Sequence, residues 1–209
     1  MTFSIGRDFA PQRIVGIDID KKLVNIGKKN VKHYLVDARD AEEEFPKSMK
    51  LLYGPLKRLS TRPARRSFLT TLNSAELIPQ SNYVLENDAL LETVRPEFDT
   101  VLCLSVTKWV HLNWGDAGLK RFFRRIFRNL KPGGRLILEP QAWPSYNKKR
   151  KLTSEIFENY KSIRLFPNKF GEFLTSDVGF QFVKKGSVYQ HYSRGFDRPI
   201  YIYKKVKTN

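Results

Sequence analysis

Apolar and polar positions change their period several times along the 209-residue chain, and each change marks an element. The first ordered signal is Arg13-Ile14-Val15-Gly16-Ile17-Asp18, a short apolar run that ends in an acid. Asp20 follows, and Leu23, Val24 and Ile26 then recur at helical spacing toward Tyr34, which predicts strand, turn and helix. From about residue 37 to residue 80 neither a 2.0- nor a 3.6-residue period survives. Charge clusters, prolines and the basic run from Lys57 to Arg66 predict a partly mobile insertion there. Order returns at Asn82-Tyr83-Val84. The nearly unbroken apolar run from Phe98 to Leu104 then predicts a central parallel strand covered on both faces.

Between Gly115 and Leu130 the pattern is helical. Leu119, Phe122, Phe123, Ile126, Phe127 and Leu130 fall on one face, and Lys120, Arg121, Arg124, Arg125 and Arg128 on the other. That basic face reads equally as a solvated surface and as a contact surface. Lys131-Pro132-Gly133-Gly134 ends the helix and turns the chain into a second buried strand, Arg135 to Pro140. Leu152 to Tyr160 and Phe170 to Ser176 predict helices, and Phe180 to Val183 with Pro199 to Tyr203 predict a closing antiparallel pair. The alternation of strands and helices predicts a doubly wound α/β sheet in a single domain spanning residues 1–209, with no internal repeat.

Composition narrows the partners. Lys and Arg number 38 against 21 Asp and Glu, and the net charge of +17 is more than solubility requires and suits a polyanion: RNA, DNA or an acidic membrane surface. The membrane ranks last, because no apolar run approaches the roughly 18 residues of a spanning helix and the N-terminus lacks a signal-type segment, so a soluble intracellular protein is expected. Cys103 is the one cysteine, which excludes an internal disulfide and a cysteine-built zinc cage. With His33, His111 and His191 scattered, no metal site is expected. Cys103 lies in an apolar run and reads as a buried, inert thiol.

In open α/β sheets ligands bind beyond the carboxyl ends of the strands, so the residues after each apolar run carry the chemistry. Asp18 stands where a carboxylate accepts hydrogen bonds from both hydroxyls of a nucleoside ribose. The competing reading is a helix cap, for which Asp20 is better placed. After the long strand, Leu104 to Asp116 contains two tryptophans, a lysine, a histidine and an asparagine, which is unusual for an ordinary loop.

Here the sequence resembles the RNA methylphosphate capping enzymes of the Bicoid-interacting protein 3 family, whose 7SK-type members methylate the terminal phosphate of a small nuclear RNA. The matching pieces are Val15 to Asp20, Asn82 to Val84, Leu102 to Asp116, Leu119 to Ile126, Leu138-Glu139-Pro140-Gln141-Ala142-Trp143, and Leu174 to Ser176. The resemblance implies a Rossmann-like class I methyltransferase sheet with helices on both faces, with S-adenosyl-L-methionine as cofactor. It implies that Asp18 and Ile19 lie beside the cofactor ribose, Asn82 and Tyr83 near its adenine, and Leu104 against the sulfonium side. It implies Lys108, Trp109, His111 and Asn113 near the RNA end, with Lys108, His111 and Asn113 carrying the catalytic role. Each has a plainer alternative: Tyr83 and Leu104 as core, Trp109 and Trp114 as anchors of a packed loop, His111 as an ordinary hydrogen-bonded side chain. Lys148, Lys149 and Arg150, with Lys151, form a basic run after Trp143 at the active end and read as RNA contacts.

The resemblance also implies methyl transfer to the 5′ terminal phosphate of a small non-coding RNA, ribonucleoprotein components as further partners, and nuclear residence. One departure stands out. In the family a strand and a glycine-rich loop precede the Asp18 strand, whereas Met1 to Gly6 looks like the helix that follows the loop. The first central strand, its loop and an upstream RNA-contacting aromatic segment are therefore expected to be missing. A truncated gene reading, a shortened isoform and a degenerate paralogue kept for binding all account for this. The undecayed motifs favour truncation of an active enzyme, and a non-catalytic RNA-stabilising protein is the rival.

Overall fold

In the computed structural model, which describes residues 11–35, 79–186 and 198–206, the helical period at Leu23, Val24 and Ile26 becomes α1 (Lys21–Leu35). Its start is fixed by Asp20, whose Oδ1 accepts hydrogen bonds from the backbone N–H groups of Lys22 (2.7 Å) and Leu23 (3.3 Å). That satisfies donors that a helix leaves open at its first turn. The strand expected over 13–18 does not form a ladder. Among the described residues of that segment Asp18 alone makes a bridge, an isolated parallel one to Gln80. The expected insertion falls almost wholly outside the described residues, as does its basic run.

The chain divides into two compact units, residues 1–83 and 84–209. The second opens with a 3-10 turn (Ala89–Thr93) and contains β1 (Phe98–Leu104), α2 (Thr107–Asn129), β2 (Leu130–Glu139), the short α3 (Pro144–Asn147) and α4 (Ser154–Ser162). After a second 3-10 turn come α5 (Phe170–Glu172), which widens into a π turn (Phe173–Val178), then β3 (Phe180–Lys185) and β4 (Tyr201–Lys205). The sheet order is β1-β2-β4-β3, with β1 parallel to β2 and the closing pair antiparallel as the alternation predicts.

Two expectations are corrected. The run 98–104 is an edge strand of the four described, not a central one, and Leu102 is 40% exposed. An unbroken apolar run reports what its side chains prefer but not how many strands flank it. The loop expected after β1 is helical from Thr107 onward. It joins the amphipathic helix across a kink at Gly115, whose φ of 59° and ψ of −165° belong to glycine alone.

The apolar stripe of α2 makes the core. Leu119, Phe123 and Ile126 are fully buried with Leu130, Leu136 and Leu138 of β2. Phe123 meets Phe170 edge-on at 5.5 Å between ring centroids. The opposite, basic face is largely engaged within the protein. Arg121 binds Asp88 at 2.6 Å and donates to the carbonyls of Leu85 and Glu86, and Arg128 forks onto Glu92 at 2.7 and 3.0 Å. Lys120 and Arg124 lie over the Phe173 ring. Near the start of β2, a Cβ on Gly134 would stand 2.8 Å from the Lys131 carbonyl oxygen, so only glycine fits that bend. Among the described residues no helix is long and apolar enough to cross a membrane.

Candidate functional site

In the first unit, Asp18 is held in a tight turn. Its Oδ1 accepts the Asp20 N–H at 2.9 Å, and its carbonyl accepts the Ser81 N–H at 3.0 Å. The Gln80 amide donates to the Ile19 carbonyl at 3.3 Å, so Asp18 and Ile19 lie against the strip that continues into Asn82 and Tyr83. Asp18 is half-buried, Ile17 and Ile19 are 41% and 53% exposed, Asn82 is exposed and Tyr83 half-buried. One carboxylate flanked by accessible apolar side chains and followed by an amide and an aromatic ring has the donor set of a nucleoside site. The acid suits a pair of ribose hydroxyls and the apolar surface suits a purine. The described residues thus fit the nucleoside part of S-adenosylmethionine.

In the second unit, the carboxyl ends of β1 and β2 converge. Ser105, directly after β1, is the one described non-glycine residue with a positive φ (58°). It keeps that conformation because its polar groups are tied down. Its N–H donates to the Glu139 carbonyl (3.0 Å), its hydroxyl donates to Glu139 Oε1 (2.5 Å) and accepts from Arg198 Nη1, and its carbonyl accepts from Gln141 Nε2. Arg198 also reaches Glu139 Oε1 at 3.3 Å. Gln141 is 2% exposed, and its Oε1 accepts from the Thr107 hydroxyl and from the Lys108 backbone N–H, both at 3.2 Å. The first turn of α2, and with it Lys108, is therefore anchored to the end of β2.

Lys108 is partly buried, and its Nζ stands 5.1 Å from the centre of the Trp109 ring. Burial lowers its pKa from the ordinary 10.5, and repulsion from Arg198, Lys149 and Lys148 lowers it further. Trp109 is 39% exposed and Asn113 is exposed, with the Asn113 amide donating to the Trp109 carbonyl at 2.8 Å. Lys148 and Lys149 are exposed at the end of α3. Arg150 instead lies over the Tyr160 ring, 5.4 Å away, and Tyr160 stacks in parallel on Trp143. Leu104 is half-buried at the end of β1.

His111 lies inside the protein. It is fully buried, its Nε2–H donates to Asp116 Oδ1 at 2.7 Å, and Nδ1 faces the Tyr146 hydroxyl at 3.4 Å. Burial holds its pKa below 6.5 despite the opposing pull of Asp116. Asp116 in turn accepts the backbone N–H groups of Arg164 (2.9 Å) and Leu165 (3.0 Å) through Oδ2. Both ring nitrogens of His111 thus face protein partners, Asp116 of α2 itself and Tyr146 of α3, and Asp116 ties α2 to the chain after α4. Cys103 is buried, and burial followed by the charge of Glu139 pushes its thiol up to about 12, leaving an inert side chain.

Ser105, Glu139 and Gln141 lie in pieces that carry the resemblance but had no role assigned from sequence, and Arg198 was not singled out at all. Glu139 carried a usable signal, an acid closing an apolar run at a strand's carboxyl end, the same signal that singled out Asp18. Arg198 carried none.

A family model described as Bicoid-interacting protein 3 (Bin3) matches residues 98–205. The chain is 40% identical over 231 aligned positions to the human 7SK snRNA methylphosphate capping enzyme, covering all of this chain and 33% of that protein. It is also 40% identical to the U6 snRNA methylphosphate capping enzyme Amus of Drosophila melanogaster, over 98% of this chain and 59% of that one. The chain therefore spans about a third of the human relative's length and under two thirds of the fly relative's. Among solved structures, a SAM-dependent methyltransferase from Methanosarcina mazei superposes with a TM-score of 0.52 at 15% identity, over 94% of this chain and 83% of that one. That likeness shows the fold alone, a Rossmann-like α/β sheet.

Proposed function

The chain belongs to the Bicoid-interacting protein 3 family, and from that premise we propose that it works as an S-adenosylmethionine-dependent methyltransferase acting on the 5′ terminal phosphate of a small RNA. The observation that carries the reading is the cation set at the strand ends. Lys108 is anchored by Gln141 and lies in the field of Arg198, Lys149 and Lys148. Such a gathering of positive charge at the carboxyl end of a parallel strand pair suits a phosphorylated end of a polyanion.

The cofactor, when bound, supplies an electrophilic methyl group. Asp18, Ile19, Asn82 and Tyr83 are the residues proposed to hold its nucleoside, with Leu104 on the sulfonium side. A terminal phosphate is already ionised near neutral pH, its second pKa being about 6, so no protein base is needed to create the nucleophile. The protein's task is to fix the phosphate oxygen in line without protonating it. Lys108 and Asn113 are proposed to contact that phosphate, Trp109 the adjoining nucleotide, and Lys148, Lys149 and Arg150 the RNA strand. His111 enters as a positioning residue, holding the helix that carries Lys108, Trp109 and Asn113. Ribonucleoprotein companions and nuclear residence extend the same proposal through the family.

The test is Lys108→Ala. Methyl transfer to a 5′-phosphorylated RNA is expected to fall about a hundredfold, the usual effect of removing one preorganised charge contact. Affinity for S-adenosylmethionine, followed by calorimetry, is expected to stay within about twofold. Equal loss of both would remove the role given to Lys108.

A further inference from the structure

The second unit contains a cation with no counterpart in the sequence reading, Arg198, just before β4. The register Leu138↔Tyr201 and Leu104↔Glu139 brings this segment, the end of β2 and the end of β1 to one edge of the sheet. Arg198 is held there from two sides, by the Ser105 hydroxyl and by Glu139 at 3.3 Å. Its side chain keeps 24% of its surface exposed, and that of Glu139 keeps 18%. Ser105, whose hydroxyl receives it, has its backbone in a sparsely populated conformation, the kind that persists where surrounding contacts over-determine it, and such residues cluster at ligand sites.

Cations gather at this end of the sheet. Arg198, Lys149 and Lys148 all act on Lys108, and Arg198 is in turn engaged by Glu139 at 3.3 Å. A bound phosphate suits such a gathering of positive charge. A planar guanidinium suits phosphate oxygens better than an ammonium does, because its paired N–H groups match them two at a time.

We propose that Arg198 binds the terminal phosphate of the RNA beside Lys108, its guanidinium preset by Ser105 and Glu139. Glu139 and Ser105 are then positioning residues: they act on the RNA only through Arg198. The inference rests on the proposed reading of the strand-end site as the RNA phosphate site, and it adds a recognition element from a different part of the chain, 90 positions beyond Lys108.

One RNA oligonucleotide, prepared with a 5′-triphosphate, a 5′-monophosphate or a 5′-hydroxyl end, tests this by fluorescence anisotropy at fixed salt. The quantity read is each protein's preference for phosphorylated over hydroxyl ends. Because that is a ratio within one preparation, an unfolded fraction cancels. Wild-type protein is expected to prefer a phosphorylated end, and Arg198→Ala to reduce that preference about tenfold, the loss of a charge-assisted contact. Arg198→Lys, with charge but no fork, should fall between them. An Arg198→Ala preference equal to wild type, with Lys108→Ala losing its own, would overturn the role of Arg198 while leaving the phosphate site standing. Absence of any end preference in the wild-type protein would overturn both.

Discussion

The two halves of α2, on either side of Gly115, are built on opposite principles. The second half buries Leu119, Phe122, Phe123 and Ile126 against β2 and α5, an apolar contact that needs no particular partner atom. The first half also buries Val110 and Leu112, but beside them it fully encloses two polar side chains, Thr107 and His111, and satisfies them one hydrogen bond at a time through Gln141, Asp116 and Tyr146. Apolar burial stabilises in proportion to area and tolerates small shifts, whereas a buried hydrogen-bond network fixes atoms in place and is costly to break. The half that carries Lys108, Trp109 and Asn113 is the one that needs fixed atoms. The kink at Gly115 lets the two principles coexist in one element, because it frees the first half from the helical phase of the second.

The largest effect expected of this division lies in the second half. Phe123 is fully buried and meets the rings of Phe122, Phe170 and Phe173. Phe123→Ala should cost about 3–5 kcal/mol of stability, the range for removing a buried aromatic side chain. The measurement is the urea midpoint at constant slope. A loss below about 1 kcal/mol would mean that the stripe is not the main stabilising contact, and the comparison would fail.

The second half was also the legible one, for a physical reason. Its apolar residues recur at the helical period without interruption, so the core face can be read directly. The Asp20 cap was legible because a cap is a local interaction, spanning two and three residues. The first half hid its period, because Val110 and Leu112 share its buried positions with Thr107 and His111, which composition assigns to the surface. The edge position of β1 was hidden because neighbours in a sheet are a property of topology. Arg198 was hidden most completely, since its partners Glu139 and Ser105 lie 59 and 93 residues away and no local pattern joins them. The half-buried acid at the end of β2, by contrast, obeyed the rule that picked out Asp18 and could have been found by applying it twice.

A smaller effect sharpens the comparison from the polar side. The His111 pKa is held below its ordinary 6.5 mainly by burial, with Asp116 opposing. In the unfolded chain the imidazole takes up a proton near 6.5, while the folded protein resists doing so until lower pH. The stability this group contributes is therefore present above about pH 6.5 and is lost as pH falls through the unfolded value toward the folded one. Asp116, whose carboxyl lies below its ordinary 3.8 because burial is outweighed by bonds from His111, Arg164 and Leu165, loses its contribution only in a separate, more acidic window. Thermal unfolding between pH 7 and pH 5 should show the melting temperature falling on acidification, and His111→Gln should flatten that slope. An unchanged slope in the variant would mean that the buried histidine does not govern this half's response to acid.

The smallest effect tests whether the basic face of the second half has a structural value of its own. Arg128 forks onto Glu92 with two short hydrogen bonds, good geometry for an ion pair. Yet their side chains are 42% and 73% exposed, so water screens the attraction and two long side chains must be held still to keep it. Screening should win over geometry: a double-mutant cycle on Arg128→Ala and Glu92→Ala is expected to give a coupling of about 0.2–1 kcal/mol, shrinking further at high salt. A coupling above about 2 kcal/mol that persists at high salt would place part of this helix's stability on its charged face. The contrast between an apolar half that holds and a polar half that positions would then have to be redrawn.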